Sequence, residues 1–304
     1  MKKTLITNNL NIYMFRDFKA NELFQSKSIF KYLLLSVLVS VVGFSLSAQE
    51  SDWLKEQEEV QHLFDQMNTA DEDDLRLAFN DSLLIKVRTI LKKDESFSYA
   101  FDSVKNMGVL LSSDEKVKVY TWNVPFNDGT HQYFGFVQYK KGRREINTYE
   151  LKDTSNGITS PENKLLDKEN WYGALYYRIL VNKNKGEVYY TLLGSDLNDF
   201  YTRKKLVEII RFQNDNLVFG APVFKNQEGI KYRLIFEYSA KAVMGLKYDE
   251  NREMIVYDHL SPFQPGFEGN PHFYGPDFSY DGLKFERGIW NTYKDLDIRR
   301  FNMD

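Results

Sequence analysis

The chain of 304 residues contains no cysteine. This absence excludes disulfides, thiolate nucleophiles, zinc sites built on cysteine, and lipid attachment through an N-terminal cysteine. Small exported domains are often held together by disulfides, so a protein of this kind has to depend on its packed core. A chain of this length can bury about 70–75% of the surface that its unfolded form exposes, which is enough for such a core.

Recognisable catalytic and cofactor motifs are also missing. The four histidines are scattered, and no His-Glu-x-x-His sequence, glycine-rich phosphate loop or dinucleotide fingerprint occurs. Gly194-Ser195-Asp196 lacks the second glycine of a nucleophile elbow. Asp196–Asp199 crowds oxygen ligands, but it lacks the glycine and glutamate of an EF-hand loop, and Val207 stands at the twelfth position. The sequence therefore favours a non-catalytic protein without metal or cofactor.

One long apolar run is present, near the N-terminus. Lys27 and Lys31 precede the uncharged stretch Tyr32–Leu46, and small residues follow as far as Ala48. A membrane-spanning helix needs about 20 apolar residues, so this shorter run is typical of a secretory signal peptide. We expect residues 1–48 to be a signal peptide with an N-terminal extension, cleaved close to Ala48. Retention of the segment as an uncleaved anchor is the alternative.

The part that remains after cleavage is acidic. Residues 1–48 hold six of the 40 basic and two of the 43 acidic residues, so residues 49–304 have a net charge of −7. Nucleic acid and anionic lipid both require a basic surface, so neither is an expected partner, and no membrane span is expected after cleavage. A cysteine-free, acidic, exported chain fits the periplasm or outer surface of a Gram-negative bacterium.

Two helices are predicted at the start of residues 49–304. Apolar residues recur at steps of three and four, first from Trp53 to Met67 and then from Leu75 to Ile90. The acidic run Asp71–Asp74 precedes the second stretch. Because acidic residues complement the dipole at a helix N-terminus, we expect this run to be a solvated first turn, with a calcium site as the alternative.

From about Phe97 the period of the hydrophobic pattern changes to two. Tyr232–Tyr238 alternates as a half-buried strand does, whereas Val188–Leu193 and Phe134–Tyr139 are apolar on both faces and should be covered on both. Leu206–Phe212 fits either a helical turn or a strand. Turn signals separate these runs: Lys141-Gly142, Asn184-Lys185-Gly186, Asn214-Asp215-Asn216, Asp249-Glu250-Asn251 and Asp281-Gly282.

About ten short strands in sequence order predict an antiparallel β-meander, packed as a sandwich, a barrel or a large curved sheet. The predicted fold class is mainly β, of the α+β type. No Pro- or Ser-rich linker divides residues 49–304, so we expect a single domain, helical over 49–95 and β-rich over 96–304. A β-propeller-like fold is the alternative, because Leu111–Lys116 and Phe278–Leu283 each resemble the strand-turn-strand signature of a propeller blade.

Residues 49–304 contain several aromatic and glycine-rich blocks: Trp171–Tyr177, Tyr190–Gly194, Phe219–Phe224, Asp258–Leu260 and Tyr274–Gly282. These blocks resemble those of exported proteins in Gram-negative bacteria of the Bacteroidetes type. The similarity extends over most of residues 49–304. It implies export, but it implies no activity and no site residues.

A binding surface is predicted around the loop-like segment Ser261–Pro276, which contains four of the seven prolines. Aromatic residues make up 15% of the chain, and most of them should fill the core. Those in a long loop should instead stay near solvent. The rival interpretation is that they pack the loop, Phe263 included, onto a sheet. The expected surface consists of Phe267, Phe273, Tyr274, Asp277, Tyr280 and Asp281.

Asp258 and His259 form an alternative, acid–base site. Adjacent residues of a strand face opposite sides, so His259 would need a carboxylate from elsewhere, such as Asp277 or Asp281. The expected function is an exported, non-catalytic binding or structural module, with a glycan or a cell-envelope protein as its partner. The alternative is a hydrolase that acts on glycan or peptide through carboxylates.

Overall fold

The computed structural model describes residues 52–142, 145–226 and 229–297. The predicted signal peptide and its cleavage site lie outside the described residues. The chain divides into two compact units, Met1–Glu56 and Gln57–Asp304, and the fold described below belongs to the second except for residues 52–56. Among the described residues, no helix combines the length and the apolar character that crossing a bilayer requires.

Both predicted helices are present. Helix α1 covers residues 52–69 and helix α2 covers Asp73–Leu91. Asp73 and Asp74 lie in the first turn of α2, where their charge complements the helix dipole. Asp73 also accepts a hydrogen bond from the backbone amide of Asn127, at 3.0 Å. The acidic run therefore begins the helix and ties it to a loop of the neighbouring sheet.

The described residues form sixteen strands in three sheets. The first sheet, in spatial order, contains β1 (Gly108–Leu111), β2 (Val117–Pro125), β3 (His131–Lys140) and β4 (Ile146–Lys152). The second contains β5 (Leu166–Asp167), β9 (Asn216–Phe219), β8 (Thr202–Gln213), β7 (Glu187–Asp196) and β6 (Leu175–Asn184), and β12 (Leu234–Ser239) also pairs with β8. The third contains β11 (Gly229–Lys231), β10 (Phe224–Asn226), β16 (Ile289–Tyr293), β15 (Tyr274–Glu286), β14 (Met254–Pro262) and β13 (Leu246–Asp249).

The second sheet is central, and its two faces pack against different sheets. Leu192 of β7 belongs to the core shared with the first sheet, and the adjacent Leu193 belongs to the core shared with the third. The predicted coverage of Val188–Leu193 is therefore confirmed. On its other side the first sheet contacts the helices, where the indole nitrogen of Trp122 donates a 2.8 Å hydrogen bond to Asn80 of α2.

The mainly β, α+β fold class is confirmed. Neighbouring strands pair antiparallel throughout the described sheets except for β10 with β16, which pair in parallel. Within the described residues no sheet closes into a barrel. The propeller-like alternative is wrong, because the sheets stack face to face. One of its two blade-like segments, Phe278–Leu283, lies inside the single strand β15.

Four of the five turn signals lie between paired strands, and the fifth does not. Lys185-Gly186 and Asn214-Asp215 have positive φ angles, as two-residue hairpin turns of type I′ require. Asp281-Gly282 lies instead in the middle of β15, paired with β14. Glycine allows close packing there, since a Cβ atom on Gly282 would lie 2.6 Å from terminal methyl groups of Leu296 and Met254, which would have to shift.

A fully buried ion pair connects the central sheet to its surroundings. Arg233 Nε lies 2.8 Å from Glu208 Oε2, and neither side chain is exposed. The guanidinium also donates to the carbonyl oxygens of Pro161, Lys164 and Phe219. Because charges taken out of water need close partners, these contacts hold β8, β9 and the segment before β5 against the residue that precedes β12.

Replacing Glu208 with glutamine should leave the Arg233 guanidinium buried without a counter-charge. We expect Glu208→Gln to lower the free energy of unfolding by about 3–5 kcal/mol, measured by urea denaturation. The control is Arg178→Gln, which removes one partner of the exposed pair with Glu250 and should cost no more than about 1 kcal/mol. Equal effects of the two substitutions would contradict the structural role of the buried pair.

Lys118 of β2 is a second buried cation. Its Nζ atom donates hydrogen bonds to the carbonyl oxygens of Phe97, at 3.1 Å, and Tyr99. Burial lowers the pKa of Lys118 to about 8, although the nearby charge of Asp102 acts in the opposite direction. The side chain therefore loses its proton more readily in the folded protein than in the unfolded chain.

Lys118 should make stability rise with pH from about 8 to 10.5. In that interval the unfolded chain keeps the lysine proton while the folded protein releases it, so the unfolded state binds more protons and the free energy of unfolding increases. Lys118→Met removes this effect. We expect the stability of the wild type minus that of the variant to grow over the interval in urea denaturation. A difference that is constant with pH would contradict the lowered pKa.

Candidate functional site

Strands β14 and β15 form a long hairpin, and its tip holds the segment predicted to be a loop. Pro262 pairs with Tyr274, so the connection covers only residues 263–273, and the predicted loop Ser261–Pro276 is too long at both ends. The connection ends in a 3₁₀ turn, Pro271–Phe273, whose cap is the side chain of Asn270. Strand pairing therefore includes Pro262 and Pro276, the prolines at the two ends of the predicted loop.

Two stacked pairs of aromatic rings lie at the hairpin tip. The ring centres of Phe267 and Phe273 are 4.1 Å apart, and those of His272 and Tyr201 are 5.3 Å apart with an interplanar angle of 6°. Tyr201 comes from the turn between β7 and β8 and is 65% exposed. The residues called the aromatic surface below are Tyr201, Phe263, Phe267, His272, Phe273 and Phe278.

Phe278 is the most exposed large apolar residue of the described chain. Its side chain is 93% exposed, and its backbone has a φ angle of +71°. The pairings of Asp258 with Tyr280 and of Leu260 with Pro276 leave three residues of β15 opposite one of β14, so Phe278 is at the centre of a bulge. A left-handed backbone costs a residue with a side chain about 1–2 kcal/mol. Neither packing nor backbone preference explains a phenylalanine here.

Asp277 and Tyr274 hold the shape of this region. Asp277 Oδ1 accepts hydrogen bonds from the amide and the hydroxyl of Ser279, at 3.0 and 2.7 Å. Burial acts to raise the pKa of Asp277, but these hydrogen bonds, together with the nearby His259, outweigh it and keep the pKa below its usual value. The Tyr274 hydroxyl accepts a hydrogen bond from the Gly269 amide. Both predicted residues therefore support the bulge and loop more than they face a ligand.

The six residues predicted for the binding surface lie in different parts of the hairpin. Phe267, Phe273 and Tyr274 lie at the tip, and Asp277 lies in the bulge. Asp281 lies farther along β15 and is buried. Tyr280 is partly buried and pairs with Asp258. The six positions therefore do not form one continuous surface.

His259 pairs with Asp281, one of the two carboxylates that the sequence suggested. His259 Nδ1 lies 2.8 Å from Asp281 Oδ2, and the other carboxylate oxygen accepts a hydrogen bond from the Asp295 amide. Asp258 accepts a hydrogen bond from the Gly245 amide instead. This separation follows from the alternation of neighbouring side chains along a strand. A buried carboxylate that orients an imidazole is also an element of acid–base sites.

A second polar cluster lies at one end of the interface between the first and second sheets. The Tyr133 hydroxyl donates to Asp196 Oδ1 at 2.8 Å and accepts a hydrogen bond from the Leu197 amide. Lys204 Nζ lies 3.4 Å from Asp196 Oδ2 and donates to Asn198. The segment Asp196–Asp199 is therefore a turn whose charge is neutralised within the protein. Within the described residues no group of histidine and acidic side chains is arranged to hold a metal ion.

The surface expected from the sequence includes two members of the aromatic surface, Phe267 and Phe273, and lacks the other four: Tyr201, Phe263, His272 and Phe278. Phe200 and Tyr201 are adjacent aromatics in a polar turn, and both are more than half exposed. That juxtaposition was a usable signal. For Phe278 no signal was available, because a residue other than glycine, asparagine or aspartate gives no indication of a left-handed backbone.

Neither a protein-family model, nor a curated protein, nor a solved structure matches this chain. The resemblance to exported Bacteroidetes-type proteins therefore remains a prediction. The function has to be argued from the aromatic surface and the residues around it.

Phe278→Gly separates a binding role of Phe278 from a packing role. Glycine relieves the left-handed strain of about 1–2 kcal/mol and loses about 0.5–1 kcal/mol through its greater freedom in the unfolded chain. We expect the free energy of unfolding to stay the same or rise by up to about 1 kcal/mol. Phe267→Ala removes a half-buried, stacked ring and should lower it by about 1 kcal/mol. A clear destabilisation by Phe278→Gly in urea denaturation would show that the ring packs within the protein.

Proposed function

We propose that the protein is an exported, non-catalytic binding module of the periplasm or outer surface of a Gram-negative bacterium, and that its aromatic surface binds a cell-envelope glycan. The observation that carries the proposal is the 93% exposure of Phe278 at a φ angle of +71°. Exposed apolar side chains held in strained backbone are found where a protein contacts something else.

A glycan fits the chemistry of this surface. Sugar rings have flat apolar faces that can pack against aromatic rings, and their hydroxyl groups need hydrogen-bonding partners at the edges. The stacked pairs of Phe267 with Phe273 and of Tyr201 with His272 supply the rings. Asp277 Oδ1 accepts its hydrogen bonds from Ser279, so its second carboxylate oxygen is the acceptor that a sugar hydroxyl would use beside the rings. The net charge of −7 over residues 49–304 favours a neutral partner over an anionic one.

A hydrolase is the second candidate, and the contact between His259 and Asp281 favours it. The 2.8 Å distance from His259 Nδ1 to Asp281 Oδ2 would orient the ring for proton transfer. In the described part of the chain, however, the ring makes this hydrogen bond alone: no hydroxyl is bound to it as a nucleophile, and the nearby Asp277 accepts its hydrogen bonds from Ser279 instead. This arrangement ranks below a binding role for that reason.

The proposal predicts glycan binding that depends on the aromatic surface. Isothermal titration of the purified protein with soluble oligosaccharides of β-glucan, chitin, xylan and mannan should identify a class that binds. We expect Phe278→Gly and Tyr201→Ala each to weaken that binding at least about tenfold, which is 1.4 kcal/mol. The control is Ile85→Ala, a 61% exposed apolar residue of α2, which should bind as the wild type does.

Three outcomes would contradict the proposal. Binding that is equal in Phe278→Gly and in the control would place the site elsewhere. Capture of an envelope protein without any glycan binding would replace the partner. Turnover of chromogenic glycosides or peptides that disappears in His259→Asn would favour the hydrolase.

A further inference from the structure

A cleft of about 430 Å³ lies between the second and third sheets, and none of the residues that line it belongs to the aromatic surface. Its apolar side consists of Leu234 and Phe236 from β12 and Tyr257 from β14. The ring centres of Phe236 and Tyr257 are 4.7 Å apart. The volume is within the range of about 300–1,000 Å³ that small-molecule sites occupy.

The polar part of the cleft lining carries two lysines. Lys225 belongs to β10, and Lys294 follows β16. In the part of the chain that the structure describes, neither ammonium group has a hydrogen-bond or ion-pair partner. An unpaired ammonium group offers one positive charge and three hydrogen-bond donors. Asn291 and Thr292 of β16 also line the cleft.

Asp281 is the only carboxylate that lines the cleft among the described residues, and no ion pair joins it to either lysine. One of its oxygens is bound to His259 and the other accepts the Asp295 amide. Both carboxylate oxygens of Asp281 therefore already have hydrogen-bond partners within the protein. The cleft is left with an excess of cationic donors beside an aromatic wall.

We propose that this cleft binds a small amphipathic organic anion. The carboxylate or phosphate group is bound by Lys225 and Lys294, and the apolar part packs against Phe236 and Tyr257. Charge attraction to two ammonium groups supplies orientation, and burial of the apolar part supplies affinity. None of these residues belongs to the aromatic surface, so the inference does not depend on the proposed glycan function.

Phenyl phosphate is a suitable probe, because it joins a doubly ionisable phosphate to an aromatic ring. Inorganic phosphate provides the charge without the ring, and benzyl alcohol provides the ring without the charge. In titrations of the full protein followed by calorimetry, we expect one equivalent of phenyl phosphate to bind and each of the other two compounds to bind at least about tenfold more weakly. Binding should weaken as the salt concentration rises.

The double variant Lys225→Met/Lys294→Met should lose at least about tenfold in affinity for phenyl phosphate. Both lysines are exposed, so the fold does not depend on them. The matched control is Lys92→Met/Lys183→Met, which removes the same charge from exposed positions elsewhere and should bind as the wild type does. Phe236→Leu should weaken phenyl phosphate but leave inorganic phosphate unchanged.

The inference is overturned if phenyl phosphate at millimolar concentration does not bind the wild type, or if the two double variants bind it equally. Equal binding of phenyl phosphate and inorganic phosphate would contradict the proposed packing of the apolar part against Phe236 and Tyr257. Phe278→Gly should leave phenyl phosphate binding unchanged, and Lys225→Met/Lys294→Met should leave glycan binding unchanged. The anion-binding proposal and the glycan-binding proposal can therefore be contradicted independently of each other.

Discussion

Burial of both faces of the central sheet is the constraint on which the rest of the structure depends. Adjacent residues such as Leu192 and Leu193 enter different cores, so β7 and β8 have to be apolar at consecutive positions. A charged group in this sheet needs a partner inside the protein, and Glu208 has one in Arg233. Ligands can reach only the edges and ends of such a stack. The hairpin tip and the cleft both lie there.

The same constraint explains which parts of the fold the sequence predicts. The helices are amphipathic, so the period of their apolar residues predicts them. Half-buried strands such as β12 are predicted in the same way by the alternation of apolar and polar residues. Leu206–Phe212 was ambiguous because a strand buried on both faces shows no alternation. Asp281-Gly282 predicts a turn because glycine serves both turns and close packing, and only the pairing with β14 and the contacts with Met254 and Leu296 distinguish these uses.

The candidate site was partly predictable for a similar reason. Proline and glycine in Ser261–Pro276 indicated an exposed segment, and strand alternation indicated that His259 would pair with a residue other than Asp258. The position of Phe278 depends on a bulge, which arises from the register of β14 against β15. The place of Tyr201 beside His272 depends on contact between separate sheets. Neither property is local in sequence.

The contacts of Arg233 also bear on how the chain folds. Its guanidinium joins groups that lie 25, 69 and 72 residues away along the chain. Closing such long loops costs conformational entropy before any contact compensates for it, and folds rich in distant contacts form slowly. Until all of these segments meet, the arginine keeps its hydration. We therefore expect the dehydration of this ion pair to come late in folding, together with the meeting of the segments that it joins.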